Sequence, residues 1–583
     1  MISFFKKNKK NNQPLSDLDI KINIAKKAQK QSIRSRRRIG FLIFCFFGLY
    51  CVLAGQLIYY GVREKDEAGR RPTQHISASR PDIIDRNGLL LATDTQTYSL
   101  FAEPRRIVDA KETADMLQKA LPHLDRDRIF KRLNSNAGFA WIARGLSDKQ
   151  REDIRSMGIP GVDFIVEKSR YYPAGSVASH ILGFVNIDNQ GIAGMERYID
   201  QSGLSEMRAA GLGEQMAKKP VQLSIDLRVQ TIVHDELLKA MERYRAIGAG
   251  AVVLDIHTGE VIAMASVPDY DPNNPTTALK KENLNRMSAG VYEMGSTIKI
   301  FTTAMALDSG LFNMNSIIDA SKPLAAGRGH FIKDFHGKYR PLSVWEIFIY
   351  SSNIGSAKEA LTIGLQGHRD FLKRLGLLDR MKTELPEVAH PVEPRVWKNV
   401  NSMTIAFGHG MSTTPLQTAT GAAALMNGGK LIHPTFLKRE DVDQTKFATQ
   451  VIKPETSLNM RYLFKLNSDI GSGRRAKVQG YRVGGKTGTA DKVVNGKYAK
   501  DTRFNAFVAS FPIDKPKYIV LTIIDEPKPE EGQRSATAGL NAAPMVSNIV
   551  RRSATFLGVK PDFVEENRTL AITKAGLSTT GYE

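Results

Sequence analysis

Residues Ile39 to Val62 contain no charged side chain over about 24 positions, long enough for a helix to cross a bilayer with some tilt. Ahead of this run lie twelve Lys/Arg and only two Asp/Glu, ending in the cluster Arg34, Arg36, Arg37 and Arg38. A cleaved export signal would have a shorter apolar core and a small-residue cleavage site, whereas here the run ends in Tyr59-Tyr60-Gly61-Val62-Arg63. Leu53-Ala54-Gly55 opens a lipoprotein-like box, but Gln56 stands where an acylated Cys would be required. The expectation is an uncleaved anchor in the inner (cytoplasmic) membrane. The basic tail stays in the cytoplasm by the positive-inside rule and everything after Val62 is exported. Much of the net charge of +22 therefore belongs beside anionic lipid. No nucleic-acid recognition module accompanies it.

Both cysteines, Cys45 and Cys51, fall inside the apolar run, so the exported part has neither disulfide nor thiol-based metal or redox chemistry. His180 has no second His or Cys at ligand spacing and reads as structural. Neither a metal nor an organic cofactor is called for.

Along the chain, residues 1–38 read as a basic tail, 39–62 as the anchor, 63–220 as a first exported domain, 221–560 as a second, and 561–583 as a loose tail. The first opens with two short strands about an Asn-Gly turn, Ser77 to Ala92. Residues 110–157 read as broken helix, Ser179 to Val185 as a strand, and Gly191 onward as a short helix. The second domain reads as strand, amphipathic helix (Leu227 to Tyr244) and hairpin (Gly248 to Leu254, Glu260 to Val267). Helices follow near 296, from Val344 to Ile363 and from Pro415 to Met426. Strands at Val483, Asn505 to Phe511 and Tyr518 to Ile524 precede a last helix, Ala543 to Leu557. This order gives an α+β fold, an antiparallel sheet flanked by helices.

Three stretches of the second domain carry chemistry. In Gly295-Ser296-Thr297-Ile298-Lys299, a helical spacing of three puts the hydroxyl and the amine on one face. The amine can then act as general base for the serine near a helix N-terminus. On its own, S-x-x-K is equally satisfied by a capping serine and an unrelated lysine. Ser351-Ser352-Asn353 follows an apolar run, and Gly484-Gly485-Lys486-Thr487-Gly488-Thr489 reads as a glycine-rich strand. S-x-x-K, S-x-N and K-T-G in this order are the signature of penicillin-binding proteins and serine β-lactamases.

The chain resembles class B penicillin-binding proteins, of the cell-division (septal) type, over nearly all its exported length. Asp85-Arg86-Asn87-Gly88, Arg170-Tyr171-Tyr172-Pro173 and Gly183 to Glu196 are similar to motifs of that family's pedestal, the dimerisation-type domain. Leu223-Ser224-Ile225-Asp226, Phe407-Gly408-His409-Gly410 and Thr414-Pro415-Leu416-Gln417 fit its transpeptidase domain. Met294 stands where many relatives have Pro, Pro81 where Gly is usual, and Ser510 where Gly is frequent.

The resemblance implies a transpeptidase domain on an elongated α+β pedestal behind a single membrane helix. It implies D,D-transpeptidation of D-Ala-D-Ala stem peptides through an acyl-enzyme on Ser296, with inhibition by β-lactams. By the same resemblance Lys299 is the base, Ser351 relays a proton, Asn353 holds the substrate backbone and Lys486 keeps the site electropositive. Thr487 takes the terminal carboxylate, Gly485 and Gly488 admit the peptide along the strand, and the N–H groups of Ser296 and Thr489 form the oxyanion hole. A membrane glycan polymerase and other division proteins are the implied partners. The alternatives are an elongation-type transpeptidase, a membrane-anchored β-lactamase, a β-lactam sensor and a catalytically silent scaffold. Against the lactamase, Glu282-Asn283-Leu284-Asn285 imitates a deacylation loop but precedes the nucleophile. Against the sensor, one span is visible where several are usual, and against the scaffold, no catalytic group is missing.

Overall fold

The computed structural model describes residues 44–56, 79–204, 219–327, 329–440, 446–494 and 496–563. The expected basic tail and most of the C-terminal tail lie outside them. Of the expected anchor, residues 44–56 are described. They are helical with exposed side chains, and among the described residues no helix is long and apolar enough to cross a membrane. The fold is α+β, and its contacts divide it into two compact units, 98–166 and, together, 79–97 with 167–563.

The smaller unit packs helices Ala110–Ala120, Arg126–Leu133 and Asp148–Arg155 around strand Ala140–Leu146, which pairs with Tyr98 to Ala102. Asp109, Asp125 and Ser147 cap the helices by accepting from free N–H groups of the first turn. The strand corrects the expectation of broken helix throughout 110–157. Its alternating apolar residues Ile142 and Leu146 reach the core beside Leu117 and Ile129.

In the larger unit, Ile83–Ile84 pairs with the strand starting at Leu90 across the expected Asn-Gly turn. Asp85 accepts from the N–H of Asn87 and Leu89, and Gly88 takes φ +87°. Nearby, Glu196 lies between two wholly buried guanidinium groups, 2.7 Å from Arg80 Nε and 2.6 Å from Arg170 Nε. Asp94 pairs with Arg170 and Asp200 with Arg80. Pro81 contributes its carbonyl to Arg170, so the departure at this position leaves a used acceptor. Ser179 to Val185 is not a strand: Ser179–Leu182 is a helical turn ended by Gly183 at φ +74°. A short apolar run fits a buried helix turn as well as a strand. A Cβ on Gly183 would stand 1.8 Å from the carbonyl oxygen of Ala193. His180 Nε2 is 2.8 Å from the Asn283 carbonyl oxygen.

The central sheet is antiparallel throughout, in the order Gly484–Val494, Lys497–Phe511, Tyr518–Asp525, Gly248–Asp255, Val261–Val267. Alternation splits its side chains between two cores. Ala251, Val253, Phe507, Phe511 and Val520 face helices Leu227–Tyr244 and Ala542–Ser553. Val252, Leu254, Phe504, Val508 and Leu521 face the helical lobe. That lobe contains Lys299–Ser309, Val344–Tyr350, Asn353–Ile363, Pro415–Met426 and Pro454–Asp469. The strand carrying Lys486 is left at the open edge of the sheet, against the lobe.

Candidate active site

Gly295–Thr297 forms a 3-10 turn that leads into helix Lys299–Ser309, so Ser296 precedes the helix and caps nothing with its side chain. The turn is fixed by close packing. Met294 O accepts from Thr297 N and Oγ1, and Gly295 sits at φ +53°. A Cβ on Gly295 would meet Thr489 O at 2.7 Å, one on Gly488 would meet Met294 O at 2.4 Å, and one on Gly408 would meet Gly295 O at 1.9 Å. Three backbone segments thus converge on the nucleophile turn with no room for a side chain. The Thr489 amide lies beside it.

The apolar run before Ser351 is helix Val344–Tyr350, and Asn353–Ile363 is a second helix capped by Ser352 Oγ on Gly355 N. The single continuous stretch expected here breaks at Ser351, which holds the left-handed conformation, φ +56°. That break turns the Ser351 hydroxyl toward two lysines: Lys299 Nζ and Lys486 Nζ each lie 3.0 Å from Ser351 Oγ. Lys299 Nζ also donates to Ser351 O at 2.5 Å and Asn353 Oδ1 at 2.7 Å. Asn353 Nδ2 in turn donates to Lys333 O. The structure therefore brings Lys299, Ser351, Asn353 and Lys486 into one hydrogen-bonded group. Ser296 stands one helical turn from Lys299, and the bonds of that amine run to Ser351 and Asn353.

Both amines are buried, with Lys299 1% and Lys486 0% exposed. Burial, then the charge of Lys486, holds the Lys299 amine well below the usual lysine range; Asp334 and Glu359 oppose the shift. Burial brings Lys486 down to about 7. A lysine amine whose pKa is brought down is better suited to act as general base for a serine.

Contacts fix the faces that Lys486 and Thr487 take on the edge strand. Lys486 faces the Phe348 ring and Ser351, while Thr487 Oγ1 lies 2.6 Å from Ser472 Oγ on the other side. Thr489 Oγ1 accepts from Ala538 N. Gly485 O accepts from the buried Asn467 Nδ2 at 2.7 Å. Ser510, opposite Gly484 in the ladder, is buried, and no hydrogen-bond partner for its hydroxyl is found among the described residues.

Sequence reading singled out neither Ser472, Asn467, Asp334, Glu293 nor Glu359. Asp334 accepts from Ser352 Oγ and Ile354 N and so anchors the S-x-N turn. Glu293 accepts from Gly410 N and Tyr498 Oη, tying the glycine-rich 407–410 loop to the nucleophile segment. Glu359 is wholly buried, and burial pushes its carboxyl up to about 8 against the pull of Lys299. Glu-x-Gly-Ser and Gly-Ser-Gly were visible signals for two of these positions. Nothing in the sequence marks Glu359. Glu282 of the lactamase-like stretch is exposed in a 3-10 turn.

Residues 249–551 match the penicillin binding protein transpeptidase domain, and residues 75–206 the penicillin-binding protein dimerisation domain. The chain is 38% identical over 532 residues to the probable peptidoglycan D,D-transpeptidase FtsI of Caulobacter vibrioides, covering 90% of this chain and 88% of that one. It is 32% identical to the probable peptidoglycan D,D-transpeptidase PenA of Neisseria gonorrhoeae, over 91% of this chain and 95% of the relative. Against the peptidoglycan D,D-transpeptidase FtsI of Escherichia coli it is 31% identical, over 86% and 87%. With the serine–lysine, serine–asparagine and lysine–threonine elements assembled on this sheet, the chain belongs to the penicillin-binding protein transpeptidase family.

Proposed function

We propose that this protein is a septal peptidoglycan D,D-transpeptidase that cross-links stem peptides through an acyl-enzyme on Ser296. The observation that carries the reading is the pair of buried amines, Lys299 and Lys486, sharing the Ser351 hydroxyl one helical turn from Ser296. Lys299, kept uncharged by burial and by its cationic neighbour, takes the Ser296 proton as Oγ attacks the penultimate D-Ala carbonyl. The tetrahedral oxyanion is held by the N–H groups of Ser296 and Thr489, each such donor being worth roughly 3 kcal/mol. The amide C–N bond then breaks, and the proton passes through Ser351 to the departing D-Ala amine. A side-chain amine of a neighbouring strand next attacks the ester; Lys299 takes the amine's proton and passes it to Ser296 Oγ as the ester C–O bond breaks, which restores the serine hydroxyl and the free amine. Asn353 orients the donor backbone, and Gly485 and Gly488 let it lie along the open strand edge. Lys486 keeps the site electropositive, and Thr487 takes the donor's terminal carboxylate.

A β-lactam presents an acylating carbonyl and a carboxylate to the same groups. Residues 63–220 serve as pedestal and 221–560 as catalytic domain, behind a single membrane anchor at 39–62. The cytoplasmic tail 1–38 faces anionic lipid, and 561–583 is a terminal tail. Since neither matching domain is a glycan polymerase, the strands to be joined come from a separate membrane polymerase. Pedestal and anchor are the docking surfaces for it and for other division proteins.

Labelling of the purified chain with a fluorescent penicillin, followed for hours beside Ser296→Ala, tests this. Stable label that the variant lacks is expected. Label lost within seconds would indicate a β-lactamase, and unlabelled, well-folded wild type a scaffold.

A further inference from the structure

Helix Pro454–Asp469 ends in the turn Gly471-Ser472-Gly473, which the catalytic scheme above does not use. Asn467 shapes that turn, its carbonyl accepting from Gly471 N and Gly473 N at 3.0 and 3.1 Å. A Cβ on Gly471 would stand 2.2 Å from Asn467 Oδ1, so the serine is flanked by two positions without side chains. Asn467 Oδ1 also accepts from Ser472 N, while its Nδ2 donates to Gly485 O on the edge strand. One buried amide therefore fixes the turn to the strand that carries Thr487. The result is the 2.6 Å contact between Ser472 Oγ and Thr487 Oγ1. Ser472 is exposed and Thr487 half-buried, so both hydroxyls are open to a ligand. Across from them runs Gly539. A Cβ there would come within 3.2 Å of Ser472 O and 3.9 Å of Thr487 Cγ2, narrowing the approach.

We infer that Ser472 is a specificity-determining residue: with Thr487 it forms a two-hydroxyl fork for the terminal carboxylate of the donor peptide. Two hydroxyls whose oxygens are this close suit the two oxygens of one carboxylate. Each hydroxyl has a single hydrogen. In the empty site one of them is spent between the pair, whereas a bound carboxylate accepts both, as charge-assisted bonds stronger than the one given up. A neutral ester at the same place offers the fork no charge. Ser472 therefore selects donors that end in a free acid.

The inference rests on the transpeptidase reading, and the test separates the two. The probe is a D-alanyl thioester whose leaving group ends in a free carboxylate, compared with its methyl ester, on the full chain. Wild type should turn over the acid with the lower KM. Ser472→Ala should raise KM for the acid about tenfold, the loss of one hydrogen bond to a charged group, with kcat little changed. The ester's constants should stay put. Ser472→Thr, which keeps the hydroxyl, should restore the acid preference and so excludes a mere folding defect. An unchanged acid-to-ester ratio in Ser472→Ala, or equal losses for both thioesters, overturns the role of Ser472 while leaving the transpeptidase standing. Wild type inert toward both thioesters removes the catalytic reading, and this role with it.

Discussion

Gly408→Ala should disable acylation without touching a reacting group. Gly408 lies at φ +95°, where an L side chain costs about 1–2 kcal/mol. The added Cβ would also stand 1.9 Å from the carbonyl oxygen of Gly295, and real Cβ contacts hardly ever fall below 3.0 Å. One of the two segments must retreat by about 1.1 Å. The nucleophile turn cannot do so freely: Gly488 abuts Met294 O from the edge strand, and Glu293 is tied to Gly410 N within the same loop. Overpacking of this kind costs about 1–3 kcal/mol. The sum, about 2–5 kcal/mol, should lower Tm by roughly 3–7 °C for a domain of this size. Because Ser296 adjoins Gly295, a shift near 1 Å should slow penicillin acylation on the order of a hundredfold. Stopped-flow or gel-based labelling with fluorescent penicillin, beside a thermal melt, measures both. Wild-type acylation in Gly408→Ala would refute the packing argument, since it would mean that the turn holds its geometry without the glycine.

Three further outcomes follow from the charges. The rate constant for acylation should fall toward acid pH as Lys299, its pKa lowered by burial and by Lys486, gains its proton. It should fall again above about 7 as Lys486 loses the charge that attracts the carboxylate, and Lys486→Arg should abolish the alkaline limb. Glu359, its carboxyl pushed up to about 8, is uncharged on the acid side, so Glu359→Gln should leave the acid limb where it is, and a limb moved to lower pH would show a charged carboxylate acting on Lys299 there. In the larger unit, Glu196→Ala leaves Arg80 and Arg170 buried without their shared carboxylate and should cost about 3–5 kcal/mol, read by chemical denaturation.

Elements with long periodicity and a chemical stop signal were legible in the sequence. Leu227–Tyr244 begins after Asp226, whose carboxylate caps it, and Pro415–Met426 after Thr414, with Pro at the first helical position. The hairpin about Asp255 and the edge strand were likewise placed by turn and glycine signals. What the residues alone did not give was set by tertiary contact. The helical turn at Ser179–Leu182 is decided by the close approach of Gly183 to Ala193 and Gly194. The break at Ser351 puts a non-glycine residue in the left-handed region, which no local preference asks for. The face of Lys486 depends on what the edge strand packs against. Asn467, Ser472 and Glu359 act through partners from 15 to 60 residues away in sequence, as the Asn467–Gly485 and Ser472–Thr487 bonds do.

In the proposed mechanism, the position of Ser351 between Lys299 and Lys486 lets one hydroxyl relay the proton to the leaving amine. A serine hydroxyl has one hydrogen and two lone pairs. Lys486, when charged, donates to one lone pair. Toward Lys299 the hydroxyl has a choice: it accepts from an ammonium and donates to a free amine, with the same 3.0 Å separation serving either direction. Before attack, the free amine of Lys299 can hold the Ser351 hydrogen while its own lone pair is turned to Ser296 only on substrate binding. In the same proposed mechanism, Lys299 is an ammonium after attack and the Ser351 hydrogen is free to turn to the leaving nitrogen. The proton then moves from Lys299 to Ser351 and from Ser351 to the amine without either lysine changing position. Two contacts keep this bond reversible rather than fixed. Lys299 also donates to Ser351 O and Asn353 Oδ1, so its ammonium is satisfied even when the Ser351 hydroxyl turns away. Asp334 holds the following turn through Ser352 and Ile354, so the strain at Ser351 cannot relax by unwinding. Replacing Ser351 by Ala should therefore cost the relay while leaving the base in place: the loss should be greater for a peptide donor, whose amine needs a proton to leave, than for a thioester, whose thiolate does not.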